Sequence, residues 1–226
     1  MKKVNLKNNW IDLKLNIPNT KYMIIDQLNK FIFVHIPKSG GTSIHKLLEN
    51  NNEFTISLWG KNGNKDYAHL SIFDVHSMHQ SSKSYFSFAV VRNPYNRIYS
   101  AYKQPYCQLY PNLTFNDFII NFVSKLNLNN LDQSLVHIWP MHKFIISDNK
   151  LLINYVIRFE QLDKDFEFIK YKFGIKPQLG HLNKNSEHSD SYLNKYTKNQ
   201  IDIINRIYAE DFEWFNYQPI DVNEFC

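Results

Sequence analysis

Cysteine is nearly absent from this chain of 226 residues: Cys107 and Cys226 are the only two, and one of them is terminal. A structural disulfide is therefore not expected, and the thiol usage suits a reducing compartment. Six glycines and eight prolines are too few for a low-complexity or fibrous protein. No apolar run approaches the roughly 18 residues that a bilayer-spanning helix needs. The early lysines of MKKVNLKNNWIDLKLNIP precede no apolar stretch, so the start does not read as a secretory signal. The expected location is the cytoplasm, with no transmembrane segment. No internal repeat is visible, and no HExxH or CxxC pattern accompanies the nine histidines, so no obligatory metal is expected.

What is abundant is aromatic residues, 17 Phe and 14 Tyr, within a 43% hydrophobic composition that excludes disorder. The length suits one domain with a true core, so residues 1–226 read as a single domain. A formal charge of +5 favours an anionic partner. The lysines are scattered and no recognition helix or RNA-binding signature is present, so no nucleic acid is expected.

Apolar runs predict strands at 31–36, 54–58, 86–91, 144–146 and 154–159. Helical patterns fall at 42–50, 95–103, 115–125, 131–139, 160–173 and 197–209. Strands alternating with helices imply βαβ units and a mostly parallel sheet. Ligands of such sheets bind beyond the carboxyl ends of the strands. The polar, His-rich stretch 60–84 reads as a loop with a short helix over the active site.

Two strand-to-helix junctions carry the chemistry. In FIFVHIPKSGGTS (31–43), Gly40 and Gly41 permit a tight turn, and Lys38 adds a full charge beside a helix start. Ser39, Thr42 and Ser43 complete this phosphate cradle, although Thr and Ser at a helix start also serve as simple caps. The nucleotide-hydrolase pattern GxxxxGK[ST] fails here, because Lys38 precedes the glycines. In FSFAVVRNPYNRIYSAY (86–102), a second strand leads to Arg92, a helix start at Pro94, then Arg97 and Ser100. Arg92 and Ser100 can meet on one phosphate, whereas Arg97 reads as structural as readily as functional.

These paired motifs resemble those of sulfotransferases that use 3′-phosphoadenosine 5′-phosphosulfate (PAPS), and above all the carbohydrate sulfotransferases of the heparan 2-O- and chondroitin 4-O-type. YVIRFEQLDKDF (155–166), HLNKNS (181–186) and IYAEDFEWFNY (207–217) extend the resemblance across residues 31–217, leaving 1–30 as an N-terminal extension. The resemblance implies a P-loop-like, three-layer α/β fold with a central, mostly parallel sheet flanked by helices. It implies that the first loop, residues 38–43, holds the 5′-phosphosulfate, and that Arg92 and Ser100 hold the 3′-phosphate. Lys184 and Ser186 would close over the nucleotide. His69, in DYAHLSIFDV, matches the context of a family histidine that acts as the base, and Lys38 would stabilise the leaving 3′,5′-bisphosphate. His35 and His45, in the first strand and the following helix, read as packing or surface residues. His137, in HIWPMHKF, stands near the implied acceptor, but Met141 replaces the Gln that relatives tend to have.

The implied function is sulfuryl transfer from PAPS to a hydroxyl of a carbohydrate acceptor, including anionic glycans, with adenosine 3′,5′-bisphosphate as product. Two other readings remain open on the residues alone: a nucleotide-dependent phosphotransferase, and a non-catalytic module that binds a nucleotide or a glycan.

Overall fold

The computed structural model describes residues 23–49, 55–58, 61–62, 65–175 and 190–225. Its central sheet has five strands: β1 (Met23–Asp26), β2 (Phe31–Val34), β3 (Thr55–Leu58), β4 (Phe86–Val91) and β5 (Tyr155–Arg158). Their spatial order is β3-β1-β2-β4-β5. β2, β4 and β5 pair in parallel, whereas β1 is antiparallel to both of its neighbours. Four of the five strands thus point one way. β1 lies in the stretch that the motifs leave as an N-terminal extension, so the sheet begins before residue 31. A tight turn lets β1 pair with β2, with the Asn29 amide donating to the Asp26 carboxylate at 2.7 Å.

Both faces of the sheet are buried, which is why its strands read as continuous apolar runs rather than alternating ones. Side chains alternate between two clusters with period two. Ile24, Phe31, Phe33, Phe88, Val90 and Ile157 pack on one face with Ile44, Leu47 and Leu48 of α1 (Gly41–Glu49). Phe166 and Ile169, from a helix running Leu162–Phe173, complete that layer and that helix ends at Gly174 in the left-handed conformation. On the other face, Ile25, Ile32, Val34, Ala89 and Val91 meet α2 (Ile72–Met78) and α3 (Pro94–Ala101). The C-terminal helices Lys198–Ile207 and Ala209–Trp214 join that cluster through Ile201, Ile204, Tyr208 and Phe212. Helices therefore flank the sheet on both sides, giving the three-layer α/β architecture expected.

Local chemistry sets several boundaries. Ser71 and Asp74 form a capping box that starts α2. Asn93 caps α3, with Pro94 in its first turn, where the missing N–H loses nothing. The strand expected at 144–146 is instead a helical turn, His142–Ile145, followed by two extended residues. The buried carboxylate of Asp211 causes this: it accepts the Met141 and His142 amides at 2.8 Å each, as a capping group does. The helix expected at 131–139 is a 3-10 helix, Gln133–Ile138. Tyr208, Phe212 and Phe215 seal the core, whereas Trp214 is 36% exposed. No helix among the described residues is long and apolar enough to cross a membrane.

Candidate active site

The loop that follows β2 is shaped by two backbone devices. Lys38 (φ +65°) and Gly40 (φ +84°) both adopt the left-handed region, so the chain reverses sharply between strand and helix. A non-glycine residue there carries strain, which is tolerated mainly at functional turns. Gly41 serves a different need, close approach: a Cβ added to it would stand 1.9 Å from Cδ2 of the His35 ring. One added to Gly40 would stand 2.6 Å from the Phe159 ring. Ser39 is fully buried behind the loop, its hydroxyl directed at the Met141 sulfur at 3.9 Å. Thr42 is exposed and Ser43 half-buried in the first turn of α1, where the Ser43 amide donates to the Gly40 carbonyl at 3.2 Å.

The second junction packs against the first. Arg92 Nη1 donates to the Lys38 carbonyl at 3.1 Å, and Nη2 donates to Asn96 Oδ1 at 2.7 Å. The guanidinium lies over the Phe159 ring, 4.2 Å from its centroid. Its Nε is buried with no hydrogen-bond partner among the described residues. Ser100 stands one helical turn beyond Asn96, half-buried on α3. Arg97 Nε donates to the Pro37 carbonyl at 3.0 Å. The Met141 sulfur accepts the Arg92 amide at 3.4 Å as well as the Ser39 hydroxyl, so this residue ties both junctions from within the core. Met141 therefore belongs to the packing behind the loops rather than to the acceptor side.

A model of the Sulfotransferase family matches residues 21–218. The chain belongs to the sulfotransferase family. It is also similar to carbohydrate sulfotransferase 10 of Xenopus laevis, at 23% identity over 243 aligned residues that cover 87% of this chain and 67% of that one. No solved structure shows significant similarity to it. The match begins at residue 21, which places β1 inside the family region.

In this sulfotransferase, three histidines gather beside the loop. His69 donates through Nδ1 to the His35 carbonyl at 3.2 Å. A carbonyl can only accept, so this bond puts the ring proton on Nδ1 and the lone pair on Nε2. The His69 ring lies 4.8 Å from that of His35 and 4.9 Å, edge-on, from that of His137. Burial, opposed by the His35 hydrogen bond and reinforced by the charges of Arg97 and Lys38, lowers the His69 pKa to about 4. Burial likewise pushes His35 well below its ordinary value, with His69, His45, His137 and Lys38 adding to the effect. Lys38 is lowered to about 8, first by burial and then by Arg92 and Arg97. Lys38 is thus mostly protonated at neutral pH, while His69 is neutral.

The structure therefore brings together Lys38, Ser39, Gly40, Gly41, Arg92 and His69. Lys184 and Ser186, like His181 and His188, lie outside the described residues. Among the described residues no group of three or more His, Cys, Asp or Glu is disposed to hold a metal. Two participants were missed from the sequence. Phe159 carries the Arg92 guanidinium, and the parallel register Val91↔Arg158 sets the two side by side. His35, read as packing, supplies both the carbonyl that orients His69 and the ring that Gly41 accommodates. Glu160 is a brace: it accepts the Asn93 amide at 2.8 Å and the Tyr217 hydroxyl at 2.7 Å.

Proposed function

We propose that this protein transfers a sulfuryl group from PAPS to a hydroxyl of a carbohydrate. The observation that carries the reading is the contact between the two junctions, Arg92 Nη1 to the Lys38 carbonyl at 3.1 Å, which sets side by side two motifs far apart in sequence. The donor set suits such a ligand. Lys38, Arg92 and Arg97 are three cations within one region, and Arg92 keeps a buried Nε donor to spare. The carbohydrate acceptor is supported by the similarity to carbohydrate sulfotransferase 10.

Lys38 and the first turn of α1 would hold the 5′-phosphosulfate end, while Arg92 and Ser100 would hold the 3′-phosphate. Bound there, PAPS supplies the sulfuryl group, which passes to the acceptor oxygen as its bond to the 5′-phosphate oxygen breaks. His69 takes the acceptor hydroxyl proton on Nε2, the nitrogen left basic by the His35 bond. Lys38 places its charge beside the oxygen on which negative charge grows, and such electrostatic help is the main requirement of transfers with loose transition states.

Calorimetric titration with adenosine 3′,5′-bisphosphate, compared with ATP plus magnesium, tests the donor site. Preference for the bisphosphate is expected; preference for magnesium-ATP would favour a phosphotransferase and refute the reading. His69→Ala should keep bisphosphate binding and lose transfer. Near-normal turnover in that variant would remove His69 as the base.

A further inference from the structure

Among the described residues Arg97 is the largest fully buried side chain. It lies on α3, and its guanidinium turns inward to the carbonyl of Pro37, the residue before the one whose carbonyl Arg92 holds. Nε donates to the Pro37 carbonyl at 3.0 Å, and Nη2 donates to the carbonyls of Trp139 at 2.7 Å and His137 at 3.4 Å. Nη1 has no partner among the described residues, and no carboxylate among them lies within ion-pair distance. The acidic groups it feels are the buried Tyr208 phenol, which donates to the Ile138 carbonyl, and then Asp211, whose oxygens are already taken by the Met141 and His142 amides and His142 Nδ1. The guanidinium is thus a full positive charge held in the core by carbonyl dipoles. Such burial is costly, and a neutral side chain could fill the same volume.

We propose that Arg97 is a positioning residue for the transfer reaction: its fork fixes the Lys38 loop against the His137–Trp139 segment, and its charge adds a permanent positive potential behind the donor-binding loop. The assignment rests on the donor-site reading above. The fork is rigid and planar, so it clips carbonyls from two separate segments, which a lysine cannot do. The three groups on which its field acts are Lys38, His69 and Arg92, all in the site and all shifted in the same direction by it. Lys38 itself faces Arg92 and Arg97 from the second junction, His35 from the end of β2, and His69 from the turn before α2. Arg92 in turn faces Glu160, Tyr192 and Tyr217, which oppose the effect of Arg97 there.

The experiment reads the Lys38 side chain directly. The Cε carbon of Lys38, assigned by its loss in Lys38→Ala, is titrated by NMR in the ligand-free wild type, Arg97→Gln and Arg97→Lys. Bisphosphate affinity is measured alongside by calorimetry from pH 6.5 to 9.5. Arg97→Gln should raise the Lys38 midpoint by roughly half a unit or more, because a like charge has been removed. The pH at which bisphosphate affinity begins to fall should rise with it. Arg97→Lys should leave the midpoint in place but weaken bisphosphate binding about tenfold, because the two-segment clip is lost. An unmoved midpoint in Arg97→Gln, or wild-type affinity in Arg97→Lys, overturns the proposal. If Arg97→Gln does not fold, Arg97→Lys decides alone, with the same affinity criterion. A wild type that binds no bisphosphate would refute the donor reading, and the ligand-free Lys38 shift would still decide whether the Arg97 charge acts on the loop.

Discussion

Replacing Gly41 by alanine isolates the contact between the phosphate loop and the histidine that orients His69. The new Cβ would stand 1.9 Å from Cδ2 and 2.2 Å from Nε2 of His35, against ordinary carbon contacts that begin near 3.5 Å. A gap of roughly 1.5 Å must open. The His35 ring cannot retreat freely, because Phe33 stacks on it at 5.9 Å and His69 lies 4.8 Å away. Overpacking of this kind costs about 1–3 kcal/mol. Alanine in the first turn of α1 returns about 1 kcal/mol of helix preference, so the net loss is up to about 2 kcal/mol. For a chain of this size that lowers Tm by up to about 8 °C. Thermal unfolding of Gly41→Ala in the wild-type and His35→Ala backgrounds measures the coupling, expected at about 1–3 kcal/mol because removing the ring removes the clash. Bisphosphate affinity should fall in Gly41→Ala and not in a distant surface control. Equal Tm losses in the two backgrounds would refute the reasoning, since the clash would then not be with His35.

Arg92→Ala should weaken adenosine 3′,5′-bisphosphate by about 10- to 100-fold, the worth of a charged hydrogen-bond donor, and adenosine 5′-phosphate much less; equal losses by calorimetry would detach Arg92 from the 3′-phosphate. Because burial holds His69 near 4, its basic form is complete above that pH and is lost only as pH falls through it. The transfer rate should therefore show no His69-dependent decline between pH 5 and 7, and a step centred near 6.5 that disappears with the His69 side chain would contradict the site's electrostatics. Asp211→Ala orphans two buried amides and His142 Nδ1, and should cost about 3 kcal/mol or more in urea unfolding; a loss below about 1 kcal/mol would show that the cap is dispensable.

The parallel part of the fold was legible because β2 and β4 are buried on both faces and so appear as mostly apolar runs, one leading into the Lys38 loop and the other ending at Arg92. β1 was not, because four residues, MIID, carry too little periodicity to separate them from a loop, and only pairing with β2 and β3 makes them a strand. Ile145 and Ile146 misled in the opposite way. Their β-branched, apolar character favours a strand, but a carboxylate about 70 residues downstream caps the turn before them. The junctions that carry Lys38, Gly40, Gly41 and Arg92 were readable, since an apolar strand followed by glycines or by Asn-Pro marks a strand-to-helix turn. The inward turn of Arg97 was not, because Asn96 and Arg97 of α3 and Arg92 just before it have similar polarity in sequence, and only the carbonyls of distant segments distinguish them.

Those carbonyls explain how three cations coexist in so small a volume. Both arginines are held by dipoles or by a ring face. Arg92 rests on Phe159 and on the Lys38 carbonyl, and Arg97 on the carbonyls of Pro37, Trp139 and His137. Glu160, the carboxylate that Arg92 feels, is itself engaged by Asn93 and Tyr217. Neutral dipoles lower the cost of burying a charge without cancelling its field, whereas a paired carboxylate would cancel it. The histidines follow the same logic. Surrounded by positive charge and excluded from water, His35 and His69 stay neutral, so the site presents fixed cations with uncharged imidazoles next to them. Interchanging those states would fail on energetic grounds: a cationic His69 would add a fourth buried charge and lose the basic nitrogen that the proposed transfer requires.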